Sequence, residues 1–497
     1  MNLKPVKIHL VVGLVFLSIF LFLMSVRTGL LPGRFGFGRR APVSLVPADG
    51  ARLPDRDSWM NILHGGRKIG YSHSRFFSLD DGGYGVEDNM FLRLVTMGIP
   101  NDVRMKTSAV LNNDFTVNSF QLSVSSGLFS FSARGVVSGS IVRIDTTAGG
   151  KKSQSMEIPL SEKPYTSSGL FNVVANFGLA PGESATFTVF DPSVMASVPL
   201  VVTVAGKEKI EAAGRRVMAT KVSMEARGIR QYAWIGEDGD VLREEGPMGM
   251  VMVRTTRQDA VSGGIDAPQD ITKLASIRSN VKLPDPQRLK VLKVLITGIS
   301  SAGKEALSGG RQSFSGDMLT IRRESLDGLE NTGFKSARYD KWLRPGPFIQ
   351  SDDSEIRSVS ERVVSGKRSA REKASSLVEW VYRNIEKKPV LSLPNALSTL
   401  QNRQGDCNEH ATLLAALARA AGIPARIETG LVYLNGRFFY HAWNSLYVGR
   451  WVTADSVFGQ MPADVTHIRL AEGIGGQLFD ILGDIGKIQL KVVGHEP

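Results

Sequence analysis

The alternation of apolar and polar residues changes character along the chain. From residue 58 to about 260, apolar positions recur every second residue in short runs broken by Gly, Asn and Asp, as in 116–124 and 135–144. Period two with β-branched enrichment turns one face of each strand to a core and the other to solvent. Asp238-Gly239, between Trp234-Ile235 and Val241-Leu242, predicts a hairpin turn, because glycine accepts positive φ. The pattern predicts a twisted antiparallel sheet over 58–260. That stretch has no cluster of catalytic residue types, so it reads equally as a structural domain and as a binding module.

Beyond residue 346 the period lengthens. Asp353 or Ser354 caps a helix running to about Val364. A second helix, 370–386, places Ala374, Leu377, Val378, Val381, Tyr382 and Ile385 on one face and stops at Lys388-Pro389. A short helical turn is expected over 395–400. A further helix opens after Asp406, with Leu413, Leu414 and Leu417 as its inward stripe, and ends at Gly422 before Ile423-Pro424. Strand-like runs follow at 425–434, 438–448 and 451–454, the first two separated by Asn435-Gly436. These elements predict an α+β domain over 346–475, preceded by a mixed connecting region at 261–345. The tail 476–497, with Ile481, Ile485, Ile488 and Leu490, is expected to close that domain.

The N-terminus adds a different element. From Ile8 to Val26 the only ionisable side chain is His9, and at ~1.5 Å per residue the stretch is long enough to cross a bilayer. Lys4 and Lys7 precede it and no small-x-small cleavage site follows, so 1–30 reads as an uncleaved signal anchor and the Gly-, Pro- and Arg-rich 31–57 as a tether. Arg27, Arg34, Arg39 and Arg40 compete with the lysines for the inner side, but the short basic tail favours a single-pass protein of the inner (cytoplasmic) membrane with its bulk periplasmic. The expected fold class is therefore α+β: an N-terminal transmembrane helix, an antiparallel β-rich domain and a C-terminal α+β domain.

Composition bounds the partners. A chain of 497 residues is too long for one core, and 42% hydrophobic content supplies two or three. A net charge of +12 suits an anionic phospholipid surface or acidic glycan, and equally suits simple solubility. No helix-turn-helix, RNA-binding aromatic signature or dense Lys/Arg run is present, which argues against nucleic acid as a partner. The segment 291–304 spells a strand followed by G-x-x-x-x-G-K, from Gly298 to Lys304. Glu305 stands where a phosphate-binding loop needs Ser or Thr for magnesium, so the segment reads as an apolar element ending in a loop.

Cys407 is the only cysteine, so it has no internal disulfide partner, a condition that suits an oxidising compartment. Its place at a helix start favours thiolate, through unpaired N–H groups and the macrodipole. The other reading is a small buried hydrophobe. His441 lies within the second strand run and Asp455 directly after the third. A helix bearing the thiol, packed on a small sheet bearing His and Asp, would join a nucleophile, a base and an acid that fixes the base's tautomer. His410 is a rival base with little freedom on the same helix, and His467 is a weaker rival in a later loop. Cys407 and His410 lack the further ligands a metal site needs, so neither metal nor cofactor is expected.

Four blocks then carry a resemblance: Gly405-Asp406-Cys407-Asn408-Glu409-His410-Ala411; 418–426; His441-Ala442-Trp443-Asn444; and Trp451-Val452-Thr453-Ala454-Asp455-Ser456. In this order they resemble the transglutaminase-like core of the papain-type superfamily, specifically bacterial membrane-anchored transglutaminase-like cysteine peptidases, over about 370–470. The resemblance implies a papain/transglutaminase-like fold with Cys407 as nucleophile, His441 as base and Asp455 as orienting acid. It implies an acyl-enzyme resolved by water, as in a peptidase or amidase, or by an amine, as in a transglutaminase. The substrate would be a protein, a peptide or a cell-envelope polymer. Ser456 departs from the Pro of many relatives, leaving the local turn open. The Cys407 N–H is one oxyanion donor, with Gln401, Gln404 and Trp380 as candidates for the second. The contrasting hypothesis is an inactive scaffold that binds a protein or glycan through its β domain.

Overall fold

The computed structural model describes residues 52–497 apart from short stretches, of which 171–178, 266–275, 330–336, 389–394 and 474–485 are the longest. The described residues fall into two compact units, divided between Ile271 and Thr272.

The first unit is built on one 14-stranded sheet. Strands β1 (Arg56–His64) to β8 (Lys151–Pro159) each pair with the next, as do β9 (Ser184–Asp191) to β14 (Met250–Thr255), and β1 joins the halves by pairing antiparallel with β14. The period-two pattern is the cause: Met90, Leu92 and Leu94 are buried while Arg93 between them is exposed. Tyr165 bridges to both Thr116 and Val189, and the Phe120 and Phe190 rings lie 5.6 Å apart, so the sheet curls back on itself. The hairpin at Asp238-Gly239 forms with Gly239 at φ 81°. After β14, helix α1 (Arg257–Ser262) is capped by Thr256, and Lys68 Nζ donates to the Asp259 and Ala260 carbonyls at 2.6 and 3.0 Å.

Among its described residues the second unit combines two larger sheets, a two-stranded parallel pair and four longer helices. The first sheet includes β15 (Ser276–Arg278). Next come β16 (Val291–Thr297), the short helix α2 (Ser301–Ala306), β17 (Gln312–Ser315) and β18 (Met318–Arg322). The helices α3 (Ser354–Val364) and α4 (Ala370–Asn384) follow, then β19 (Glu386–Lys387), α5 (Ala396–Asn402), β20 (Gln404–Gly405) and α6 (Cys407–Ala420). The chain closes with β21 (Ala425–Leu434), β22 (Arg437–Tyr447), β23 (Trp451–Ala454), β24 (Ile468–Gly473) and β25 (Gln489–Glu496). One larger sheet runs β15-β22-β21-β24, with β23 beside β22; the other runs β17-β18-β16-β25; β19 and β20 form the parallel pair.

Caps explain the helix starts. Asp353 accepts from the Glu355 N–H, while Ser369 with Glu372 and Asp406 with Glu409 form complete capping boxes. Helix α6 is buried along almost its whole length, as a central helix must be. It contacts α3, α4 and α5 as well as β21 and β22.

The expected α+β class with a transmembrane helix is corrected. The structure is β-rich, 53% strand against 17% helix, because the first unit's sheet outweighs the helical layer of the second. No described helix is long and apolar enough to cross a membrane, and Ile8–Val26 lies outside the described residues. The Gly298–Lys304 segment follows a strand whose two neighbours, β18 and β25, are both antiparallel. Gly298 is needed there for packing, since a Cβ would meet the Lys487 carbonyl oxygen at 2.0 Å.

Candidate active site

Cys407 is the first residue of α6, fully buried where the capping box of Asp406 and Glu409 ends the preceding loop. His441 stands mid-strand in β22, opposite Gly430 of β21. Asp455 follows β23, where it exchanges backbone hydrogen bonds with Gln460. His441 and Asp455 are joined by a hydrogen bond, Nε2 to Oδ2, at 2.7 Å, with both residues buried. The Ala442 N–H, one residue from His441, faces the Cys407 sulfur. Asn444 Nδ2 donates to the Ala411 carbonyl at 2.9 Å, tying the histidine strand to the cysteine helix. His441 and Asp455 thus meet directly, and β22 reaches Cys407 at the neighbouring Ala442.

The electrostatics differ from the helix-dipole expectation at one point. Burial pushes the Cys407 thiol well above its usual range, and the Asp406 charge adds to that; the Ala442 N–H works the other way without winning. The protonated thiol is therefore the favoured form of the sulfur. Burial alone would also raise Asp455, but the charge and hydrogen bond of His441, with a further bond from His467, hold it well below the usual carboxylate range. Its other oxygen accepts the Val457 and Phe458 N–H groups at 2.7 and 3.1 Å. Those bonds shape the turn that Ser456 had left open.

His410 is brought close but engaged locally: Nδ1 lies 2.6 Å from the Asp406 carbonyl, and burial lowers its pKa to about 4. Of the candidate second oxyanion donors, Gln401 is spent on Glu355 at 2.9 Å and Gln404 is exposed. Trp380 lies under the Arg403 guanidinium, 4.9 Å from ring to cation.

His467 is the residue whose place the sequence undervalued. It ends the loop before β24, fully buried, with Nε2 2.9 Å from the same Asp455 Oδ2 that takes His441. No local pattern in the sequence marks it, since Arg469 interrupts the apolar residues Ile468 and Leu470 that follow. Among the described residues, His441, Asp455 and His467 also form the group whose ligand atoms lie close enough together, within 4.8 Å, to hold a metal ion. With both imidazoles on Asp455 Oδ2 and two backbone N–H groups on Oδ1, that carboxylate is already satisfied by hydrogen bonds.

Trp443 Nε1 donates to Glu428 at 2.9 Å, and Glu428 also accepts from Ser445 at 2.6 Å and pairs with Arg426 and Arg469. This buried network holds β21, β22 and β24 together behind the histidines.

No curated protein matches the chain. Among solved structures, the chain is similar to a candidate cysteine protease of Cytophaga hutchinsonii, at 18% identity over 42% of this chain and 86% of that one, with a TM-score of 0.28. It is also similar to a β-barrel-like protein of a domain of unknown function from Brucella abortus, at 10% identity over 41% of this chain and 98% of that one, with a TM-score of 0.33. A candidate protease of Parabacteroides distasonis is similar at 11% identity over 76% of this chain and 65% of that one, with a TM-score of 0.19. Residues 357–456, which contain Cys407, His441 and Asp455 but not His467, match the transglutaminase-like superfamily, so the chain carries a transglutaminase-like domain.

Proposed function

We propose that this protein is a thiol enzyme that cleaves or transfers an amide-linked acyl group of a protein or peptide, with Cys407 as nucleophile, His441 as base and Asp455 as orienting acid. The observation that carries the reading is the buried 2.7 Å bond between His441 Nε2 and Asp455 Oδ2 beside the α6 N-terminus. That bond commits Nε2 to the carboxylate and leaves Nδ1 as the nitrogen for a thiol. As a carbonyl carbon approaches Cys407, Nδ1 takes the Sγ proton, sulfur bonds to carbon and the carbonyl electrons move to oxygen. Collapse of that intermediate breaks the C–N bond, and the amine leaves with the proton from Nδ1. Water or a second amine then attacks the thioester, and Cys407 regains its proton.

The Cys407 N–H, at the first turn of α6, is one donor for the oxyanion. Burial favours the protonated thiol, so His441 is the group that takes the proton on the way to attack.

The complete burial of Cys407 favours one contrasting reading, a transglutaminase-like scaffold without turnover. An electrophilic thiol probe separates the two. Labelling of Cys407 that falls in His441→Ala supports the enzyme; an inert Cys407, or labelling indifferent to His441, supports the scaffold. For reaction type, incorporation of a labelled primary amine into a glutamine-bearing acceptor is compared with release of new peptide amino termini.

A further inference from the structure

His467 has an acid on each side. Nε2 is 2.9 Å from Asp455 Oδ2, while Nδ1 is 3.3 Å from Asp464 Oδ1 and 3.2 Å from the Asp464 carbonyl. An ionised carboxylate only accepts hydrogen bonds, so a neutral imidazole would turn a lone pair toward one of these oxygens. Both nitrogens must donate, which makes the ring a cation.

The surroundings are arranged to keep it so. Asp464 Oδ1 also accepts from the Thr466 N–H and hydroxyl at 2.9 and 2.6 Å, and Oδ2 from Gln460 Nε2 at 3.1 Å, so the acid is locked in place. Arg311 fixes the backbone from outside, donating to the Ala463 and His467 carbonyls at 2.6 and 2.8 Å. The loop from Asp455 to His467 is thereby closed on itself, its two ends joined through the ring.

We propose that His467 is a positioning residue of this site, a buried imidazolium that bridges Asp455 and Asp464, shares Asp455 Oδ2 with His441, and offsets part of the field Asp455 exerts on the thiol–imidazole pair. The proposal rests on the reading that Cys407, His441 and Asp455 form the catalytic set. Burial opposes a charge on His467, but the Asp464 charge and hydrogen bonds to Asp455 and Asp464 outweigh it and raise its pKa to about 9. The ring therefore stays charged across the neutral range.

The other groups facing this cluster are few. His441 approaches from β22, its ring 5.8 Å from that of His467. Lys387, from β19, adds a positive charge felt by Asp455, and Asp406, at the start of α6, adds a negative one felt by His441. His410, on α6, is held neutral. The Trp443 and Phe458 rings lie in T-shaped contact with His467, their centroids 5.2 and 5.9 Å from its own. His467 is thus a cation in direct contact with Asp455, on the same oxygen as His441.

The test begins with the unaltered protein. Side-chain nitrogen NMR should show one imidazole with both N–H protons retained from pH 6 to about 8. That signal should vanish in His467→Gln and shift in Asp464→Asn. A neutral His467 in this range, or a stoichiometric divalent metal in the purified protein that is lost in His467→Gln, overturns the proposal.

The second measurement is the pH profile of Cys407 alkylation. A buried cation opposes proton binding by the thiol–imidazole pair, so its loss in His467→Gln should move the limb to higher pH by about one unit. A purely structural role would lower the rate without moving the limb, and that result also overturns the proposal. If instead His441→Ala leaves alkylation unchanged, the catalytic reading fails, while the NMR signature still reports on the His467 bridge.

Discussion

Asn444 Nδ2 donates to the Ala411 carbonyl at 2.9 Å, in full burial, and this bond helps to pin the strand carrying His441 to the helix carrying Cys407. The two residues stand three positions after His441 and four after Cys407, so the bond sets the spacing of base and nucleophile from their own elements. Asn444→Ala removes the bond and leaves a void. The expected loss of stability is about 1–3 kcal/mol, read from the denaturant midpoint at unchanged slope. Thiol labelling should lose part of its dependence on His441. An unchanged midpoint would show that the bond contributes nothing net.

Gly430 sits on β21, the middle strand of β22, β21 and β24. It is paired with His441 on one side and Arg469 on the other, and a Cβ there would meet the Ile468 carbonyl oxygen at 1.9 Å. Gly430→Ala therefore cannot be absorbed by a side-chain rotation; β24 must move, taking His467 with it. Overpacking of this kind costs about 1–3 kcal/mol. The thermal midpoint should fall, and the His467 imidazole signal should change even where the protein stays folded. An alanine variant with both properties intact would mean that β24 yields freely.

The same junction shows what the sequence disclosed and what it hid. Cys407, His441 and Asp455 each carry a local mark: a helix cap, a strand run, a strand end. The caps at Asp353 and Asp406 and the turn at Gly239 are local as well, and the structure has them where the pattern predicts. His467 carries no such mark. Its closeness to Asp455 depends on the pairing of β21 with β24, which includes a register shift between Thr429 and Gly430. A bulge of that kind has no periodic signature. The state of the Cys407 thiol was hidden for a related reason. The helix dipole is visible from the cap, whereas the burial that outweighs it is a tertiary property. In the first unit, alternation revealed strands but not the closing bridges through Tyr165.

His410 supplies a pH-dependent term of known sign. It is neutral when folded down to about pH 4 and has an ordinary value of 6.5 when unfolded, so the unfolded chain binds this proton first. Stability from this residue is complete above about pH 6.5 and is lost as the pH falls toward 4, by up to about 3 kcal/mol. His410→Asn removes the titration. Measured from pH 7 to 4, the stability gap between the protein and this variant should close or reverse; a constant gap would place the acid sensitivity elsewhere.

Asp406 acts on Cys407 in two ways that substitution can separate. Its side chain caps α6 through the Asn408 N–H at 2.8 Å, and its charge is, after burial, the largest influence raising the thiol. Burial raises Asp406 itself, and Glu409 is raised still further by burial and by Asp406, so the neighbouring pair does not carry two full charges at ordinary pH. Asp406→Asn keeps a capping oxygen and removes the charge. Its cost in stability should stay below the ~1 kcal/mol typical of Asp406→Ala, since asparagine caps as well as aspartate. The thiol should ionise more readily, and alkylation of Cys407 at fixed pH should become faster, tenfold for each unit by which the labelling limb moves down. In the unaltered protein that limb should lie above the ~8.5 of a free cysteine. Faster labelling with the fold intact would separate electrostatics from access. If Asp406→Asn labels no faster, access to the buried sulfur limits the rate instead, and its charge environment matters only after the site opens.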